Sequence, residues 1–295
     1  MSADQAVITI APSHARRLRA TVSARILVPL VVIGILGIGA IVVPVLYNYD
    51  PLHADLLVRL KPPGTAMPDG SIAIFGTDKV GSDLFAEMMA GTRVSLIVGA
   101  STLLIAGIVG GILGLLAGYF GGWLDTALMR IADIQLAFPS ILLAILLVSV
   151  LGQGILNVII VLSISNWVIF ARVIRSQVLG LKSLEYVEAA RTLGASHFHI
   201  IFRTLLPGCI APMLVIASVE FGYVVLAEAA LSFLGVGAPF GTPSLGSTIS
   251  TGTQYLASAW WISTIPGLLL LVLVLATGVL GDALRDRFDP RLRSA

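Results

Sequence analysis

From Ile26 to Tyr47 the chain runs 22 residues without a charge, and from Val94 to Phe120 it runs 27. About 20 predominantly apolar residues are enough for a helix to cross the hydrocarbon core of a bilayer. In lipid, a single segment can satisfy its own backbone groups only as a helix. Four more runs meet or approach the same test: Ile134–Leu151, Ile155–Ala171, Cys209 to Leu234 (interrupted by Glu220 and Glu228) and Trp260–Gly281. The expectation is an all-α polytopic membrane protein with six spans. Composition points the same way. The chain is 57% hydrophobic and 12% charged, against about 25% charged in soluble domains. The first run is expected to remain as an anchor. It exceeds the roughly 7–15 apolar residues of a cleaved signal, and no A-x-A-like site follows it.

Lys and Arg accumulate in cytoplasmic loops. With six spans both termini share a side. That side would hold Arg16, Arg17, Arg19, Arg25, Arg130, Arg172, Arg175, Lys182, Arg191, Arg203, Arg285, Arg287, Arg291 and Arg293, which is 14 of 18 basic residues. Arg59, Lys61, Lys79 and Arg93 fall together in one long loop on the other side. The chain therefore divides into a cytoplasmic tail (1–25), a first span (26–47), an extracytoplasmic loop (48–93), a core (94–282) and a cytoplasmic tail (283–295). Within the core lies a cytoplasmic loop at 181–208. The stretch from Leu234 to Ala259 has no charge and is rich in Gly, Ser and Thr. It is expected to pack over, or dip into, the outer mouth.

Several chemistries are excluded. None of the three lysines follows a glycine, so there is no G-x-x-x-x-G-K-[ST] loop to cradle a nucleotide triphosphate. No G-x-G-x-x-G or G-x-S-x-G pattern opens a helix. The single Cys209 excludes a disulfide framework and a cysteine metal site. A net charge of +2 without a basic, aromatic-interleaved cluster gives no sign of nucleic acid. His197 and His199, two apart, would face different ways on a helix and make a poor metal pair. Gly107 and Gly111, interleaved with Gly110, Gly114 and Gly118, have the four-residue spacing that lets helices pack closely.

The polar stretch "EYVEAARTLGASHFHIIFRTLLPG", Glu185–Gly208, interrupts this apolar chain. Ser183 is a plausible N-cap, with Glu185 in the first turn where the helix dipole favours an anion. The helix is expected to end near Leu193, with Gly194 supplying the left-handed closing position. Ser196 would cap a second short helix to about Leu205, and Pro207 would start the next span. Leu184, Val187, Leu193, Phe198, Ile201 and Phe202 are too much apolar surface for a free loop. Glu188 beside Ala189 and Ala190 makes a flat patch that another protein could approach closely. On these grounds the hairpin is either a docking site or a connector.

The spacing Glu188-Ala189-Ala190, then Gly194, then Leu206-Pro207 resembles the "EAA" signature of ABC-importer permeases, in which this loop docks into a cytoplasmic ATPase. "FGTDKVGSD" (Phe75–Asp83), "GTRVSLIVG" (Gly91–Gly99), "ADIQLAFPSILLAI" (Ala132–Ile145), "AEAALSFLGVG" (Ala227–Gly237) and "LGDALRDRFDPRL" (Leu280–Leu292) are similar to the C-type permease of dipeptide, oligopeptide and nickel importers. Ser82 and Glu87 stand where that family usually has Arg, and Thr204 where it often has Ile. The resemblance implies a type I importer permease fold. It assigns ATPase coupling to Glu188, Ala189, Ala190, Arg191, Gly194, Ala195, Leu206 and Pro207. The implied partners are a second permease, with which it forms a heterodimer in that family's manner, two cytoplasmic ATPases and an extracytoplasmic substrate-binding protein. This chain would carry no cofactor, because ATP and magnesium would sit on the ATPases. Peptide is the implied cargo, with nickel or another small solute the alternative on the same architecture.

Three intramembrane acids are candidates for the translocation path: Asp133 beside Arg130, Glu220 in mid-span, and Glu228 about two turns further on a similar face. Each also has a structural reading, as an ion pair, a buried hydrogen-bonded group or a helix cap. Taken together they define the rival class, an ion-coupled secondary transporter using the three as a relay; a non-transporting membrane scaffold is a third.

Overall fold

The computed structural model describes residues 13–288 apart from 48, 53–54, 68–69 and 240, with side chains described from Arg25 to Arg287. The side chains of Arg16, Arg17, Arg19, Arg291 and Arg293, which weigh in the orientation reading, lie outside those described. The first span is α1 (Ser13–Leu46). A short antiparallel pair, β1 (Thr65–Ala66) and β2 (Ile72–Ala73), follows in the loop. The long helices are α2 (Leu84–Phe120), α5 (Ile155–Leu181), α8 (Leu206–Phe233) and α10 (Trp261–Phe288). Between them come α3 (Gly122–Leu136), α4 (Ser140–Leu151), α6 (Glu185–Thr192), α7 (His197–His199) and α9 (Leu245–Thr253).

The centre of the bundle is α2 against α5, and the glycine stripe makes it possible. A β-carbon placed on Gly110 would lie 2.3 Å from the Trp167 carbonyl oxygen, and one on Gly114 2.5 Å from that of Ala171. At Gly118 it would meet the Val178 side chain at 2.8 Å. Only hydrogen lets the two backbones close to this distance. Gly111 looks the other way, toward Met213 of α8, and Gly107 lies between Phe170 of α5 and Met213. Around this contact Val98, Phe170, Leu162, Val224 and Leu231 form the main core.

Three expected boundaries are corrected. First, α2 begins at Leu84, not Val94, capped by the Asp83 carboxylate accepting from the Ala86 N–H at 3.0 Å. Glu87 and Arg93 had cut the apolar run, although a helix can carry both. Second, α5 continues beyond Ala171 to Leu181, because Arg172 and Arg175 reach Asp133 and Asp125 of α3. Third, the expected span Ile134–Leu151 is not one helix. It belongs to α3 and α4, which meet at a 91° bend. Pro139 forces the break, since it disfavours helix in the residue before it. Gln135 fixes the break: its amide donates to the Ile164 carbonyl at 2.7 Å, and its oxygen accepts from Trp167 Nε1 at 2.8 Å. Among the described residues, five helices are long and apolar enough to cross a membrane, six if the bent pair counts as one.

The start of α1, the end of α10 and the α6–α7 hairpin lie at one end of the bundle. The long loop and α9 lie at the other, where Trp261 Nε1 donates to the Thr77 carbonyl at 3.2 Å.

Candidate coupling surface and translocation cavity

At the first end, the Glu185–Gly208 stretch folds as a helical hairpin with one face anchored. The N-cap of α6 is Leu184, without a side-chain cap. Ser183, expected in that role, donates instead to the Gly180 carbonyl at 3.0 Å, finishing α5 rather than starting α6. At the far end Gly194 has φ +80°. The Ala195 N–H bonds the Ala190 carbonyl and the Gly194 N–H that of Arg191, both at 3.0 Å. These two bonds are the Schellman closure, with glycine at the left-handed position. Ser196 caps the next turn, accepting from the His199 N–H at 3.3 Å.

From there the chain departs from expectation. No separate helix ends near Leu205. The turn α7, a π-helical segment Ile200–Leu205 and α8 run on continuously, and Pro207 sits in the first turn of α8. Proline has no N–H for the carbonyl four residues back and crowds it. The wider π turn just before it accommodates that loss without a break.

Val187 is fully buried, and Ile200, Ile201 and Leu205 join it against Leu115 and Tyr119 of α2 and Ile174 and Val178 of α5. The Tyr119 hydroxyl shares a hydrogen bond of 2.7 Å with His197 Nδ1, and the Arg191 guanidinium lies 5.9 Å over the Tyr119 ring. Lys182 Nζ donates to the Gly118 carbonyl at 3.0 Å, a cation at the C-terminal end of α2. The Tyr119–His197–Arg191 clamp escaped sequence reasoning, because its members lie 78 residues apart from Tyr119 to His197. The opposite face is bare. Leu193 is 86% exposed and Phe198 71%, with Leu184, Tyr186, Glu188 and Ala189 also at the surface.

A cavity of about 410 Å³ lies where the α3–α4 bend, α5 and α8 meet. Its walls are mostly apolar, with Ser140, Ser165, Asn166, Tyr223 and Glu220 as the polar members. The Ser140 and Tyr223 hydroxyls bond each other at 2.6 Å, joining the start of α4 to α8. Glu220 is half-buried and makes no hydrogen bond or ion pair among the described residues.

The other two candidate acids are elsewhere. Asp133 pairs with Arg172, not Arg130, and both are about half exposed. Glu228 does not share the Glu220 face: eight residues at 100° each leave about 80° between them. It is 1% exposed and accepts hydroxyls from Ser95 of α2 at 2.7 Å, Ser232 of its own helix at 2.9 Å and Ser244 before α9 at 3.0 Å. At the same end of the bundle the Glu87 carboxylate accepts from Thr248 of α9 at 2.6 Å. A relay of Asp133, Glu220 and Glu228 is therefore not assembled in one cavity. Within the stretch 234–259, α9 packs closely on α8: a β-carbon on Gly246 would stand 2.0 Å from the Ala229 carbonyl oxygen.

The family described as "Binding-protein-dependent transport system inner membrane component" matches residues 110–294, which include the hairpin, the cavity and α9. The chain belongs to that family. A putative peptide transport system permease of Brucella suis biovar 1 is 40% identical over 95% of this chain and 91% of its own length. The di/tripeptide transport system permease DppC of Pseudomonas aeruginosa is 38% identical over 87% of this chain and 84% of its own. Among solved structures, an inward-facing MetNI methionine ABC transporter shares the fold, with a TM-score of 0.55 at 20% identity. It covers 68% of this chain and 96% of that one. This chain is thus a multi-pass inner-membrane permease subunit of an ABC importer, as the EAA spacing implied.

Proposed function

We propose that this permease is one half of the membrane pore of an importer for di- or oligopeptides, driven by ATPases that dock on the α6–α7 hairpin. The peptide cargo is supported by the names of relatives this similar over most of both chains. The α6 end is cytoplasmic, as the excess of Lys and Arg there requires. A second permease completes the pore, two ATPase subunits bind ATP and magnesium, and an extracytoplasmic receptor delivers the peptide. Hydrolysis belongs to those ATPases, since this chain has no phosphate-cradling loop. Of the three acids, Glu220 lies on the path, while Asp133 and Glu228 hold helices in place.

One observation carries this reading: a hairpin braced on its inner face and bare on its outer one. The inner face transmits force into α2, α5 and α8. The outer face, with Glu188, Ala189, Leu193 and Phe198, is what an ATPase groove would cover. ATP-driven movement of that groove then biases the bundle between two access states, provided nucleotide and loaded receptor each favour one. The test is co-purification of the ATPases with Glu188→Lys and Leu193→Asp. Both variants should reach the membrane at wild-type abundance, yet lose ATPase recruitment and peptide uptake. Wild-type assembly and transport by both would reduce the hairpin to a connector.

A further inference from the structure

We propose that Glu220 is the counter-ion for a primary ammonium in transit, the protonated amino terminus of the peptide. The proposal rests on the reading of the cavity as part of the path. It begins from an imbalance among the acids of α2, α3 and α8. Glu87 takes the Thr248 hydroxyl, Asp125 pairs with Arg175, Asp133 with Arg172, and Glu228 takes three serine hydroxyls. Glu220 alone has no partner among the described residues, and it is the one charged side chain lining the cavity.

Its depth makes the imbalance costly. Glu220 stands 14 residues into α8 from Leu206, about 21 Å along the axis at 1.5 Å per residue. That is near the middle of the helix, where an acid is among the most disfavoured residues. A charge held there without a partner is matched to a cation that comes and goes. The surroundings select which cation. Ser165, Asn166 and Tyr223 can hydrogen-bond the neutral amides of a peptide, and Ile141, Ala144 and Leu226 accept apolar side chains without choosing among them. A divalent metal would need several oxygen, imidazole or thiolate ligands, and the lining offers one carboxylate. An ammonium needs one carboxylate and a few neutral acceptors, and its three N–H donors fit that set. Among the described residues, no basic side chain lines the wall to attract an anion.

Ala227, one and two turns beyond Tyr223 and Glu220 on the same stripe, also lines the cavity and serves as a reporter. The assembled importer, carrying Cys209→Ala and Ala227→Cys, is placed in proteoliposomes. It is treated with 2-aminoethyl methanethiosulfonate, a primary ammonium, or with the sulfonatoethyl reagent, an anion. Glu220 should make the ammonium react faster. The rate ratio of ammonium to anion should fall by about 10-fold or more in Glu220→Gln, the scale on which a charged cleft concentrates counter-ions. Glu220→Asp should restore most of it, and dialanine uptake should follow the same order across the three proteins. A ratio unchanged by Glu220→Gln, or uptake at the wild-type rate despite a changed ratio, overturns the proposal and leaves the importer reading standing. If Ala227→Cys reacts with neither reagent in any nucleotide state, the cavity is off the path, and the path reading falls together with this one.

Discussion

The two ends of the bundle spend their polar groups differently. At the α9 end they turn inward: Glu228 gathers serines from α2, α8 and the α9 approach, and Glu87 takes Thr248. At the α6 end Glu188 and Ala189 face outward, and the anchoring is apolar, through Val187, Ile200, Ile201 and Leu205. A buried carboxylate with three donors is close to full satisfaction, so α9 behaves as part of the core. An exposed Leu193 beside an exposed Phe198 is surface waiting for a second protein. Burial identifies which end is self-sufficient and which needs a partner.

Changes at the two ends should therefore separate stability from coupling. The largest loss of stability is expected for Glu228→Ala. It leaves the Ser95, Ser232 and Ser244 hydroxyls without their acceptor, at about 1–3 kcal/mol for a buried group left unpaired. Thermal unfolding in detergent should show it, and limited proteolysis should open segment 234–259. A Glu228→Ala protein as stable as wild type would erase the contrast between the ends. Next is Gly194→Val. A side chain there meets nothing within 4 Å, so the cost is backbone strain alone, about 1–2 kcal/mol for a left-handed residue. The hairpin should be re-aimed rather than unfolded: ATPase binding should weaken while the bundle melts near the wild-type temperature. If Gly194→Asn, which tolerates the left-handed region better, couples no better than Val, the Schellman closure is not what aims the hairpin.

The smallest effect is expected in the long loop, at Asp78. Burial holds its carboxyl above the ordinary 3.8, opposed by hydrogen bonds from the Ser82, Val80 and Gly81 backbone and by Lys79. A folded value raised above the unfolded one means the folded state binds the proton more tightly. Loop stability should then rise as pH falls through the raised value and level off below about 3.8. Asp78→Asn should flatten that slope while keeping an acceptor for Ser82 N–H, at 2.7 Å in the native loop. Hydrogen exchange of residues 55–82 across this pH range measures it. An unchanged slope in Asp78→Asn would assign the titration to another group.

Much of the hairpin could be read directly. Gly194 and Ser196 take the backbone roles that their residue types favour, because turn chemistry is local. Ser183 did not, since a serine between two helices can serve either, and the end of α5 claimed it. The third span misled because hydropathy counts apolar residues and is blind to direction: Pro139 marks a boundary, but the 91° between α3 and α4 is set by Gln135 gripping α5. Glu220 and Glu228 looked alike as acids in one apolar helix. Their partners separate them, and those partners lie as far as 133 residues away in sequence.

By itself the sequence determined the class, the apolar runs, the glycine stripe and the EAA hairpin. These depend on composition, on spacing along a helix and on turn residues, all properties of neighbours in the chain. Tertiary structure alone decided which face of the hairpin is bare, which acid is left without a partner and where the third crossing breaks. Those outcomes depend on which helices meet. Burial and hydrogen bonding are properties of pairs, and in this chain the decisive pairs, Tyr119 with His197 and Ser95 with Glu228, are far apart until the bundle brings them together.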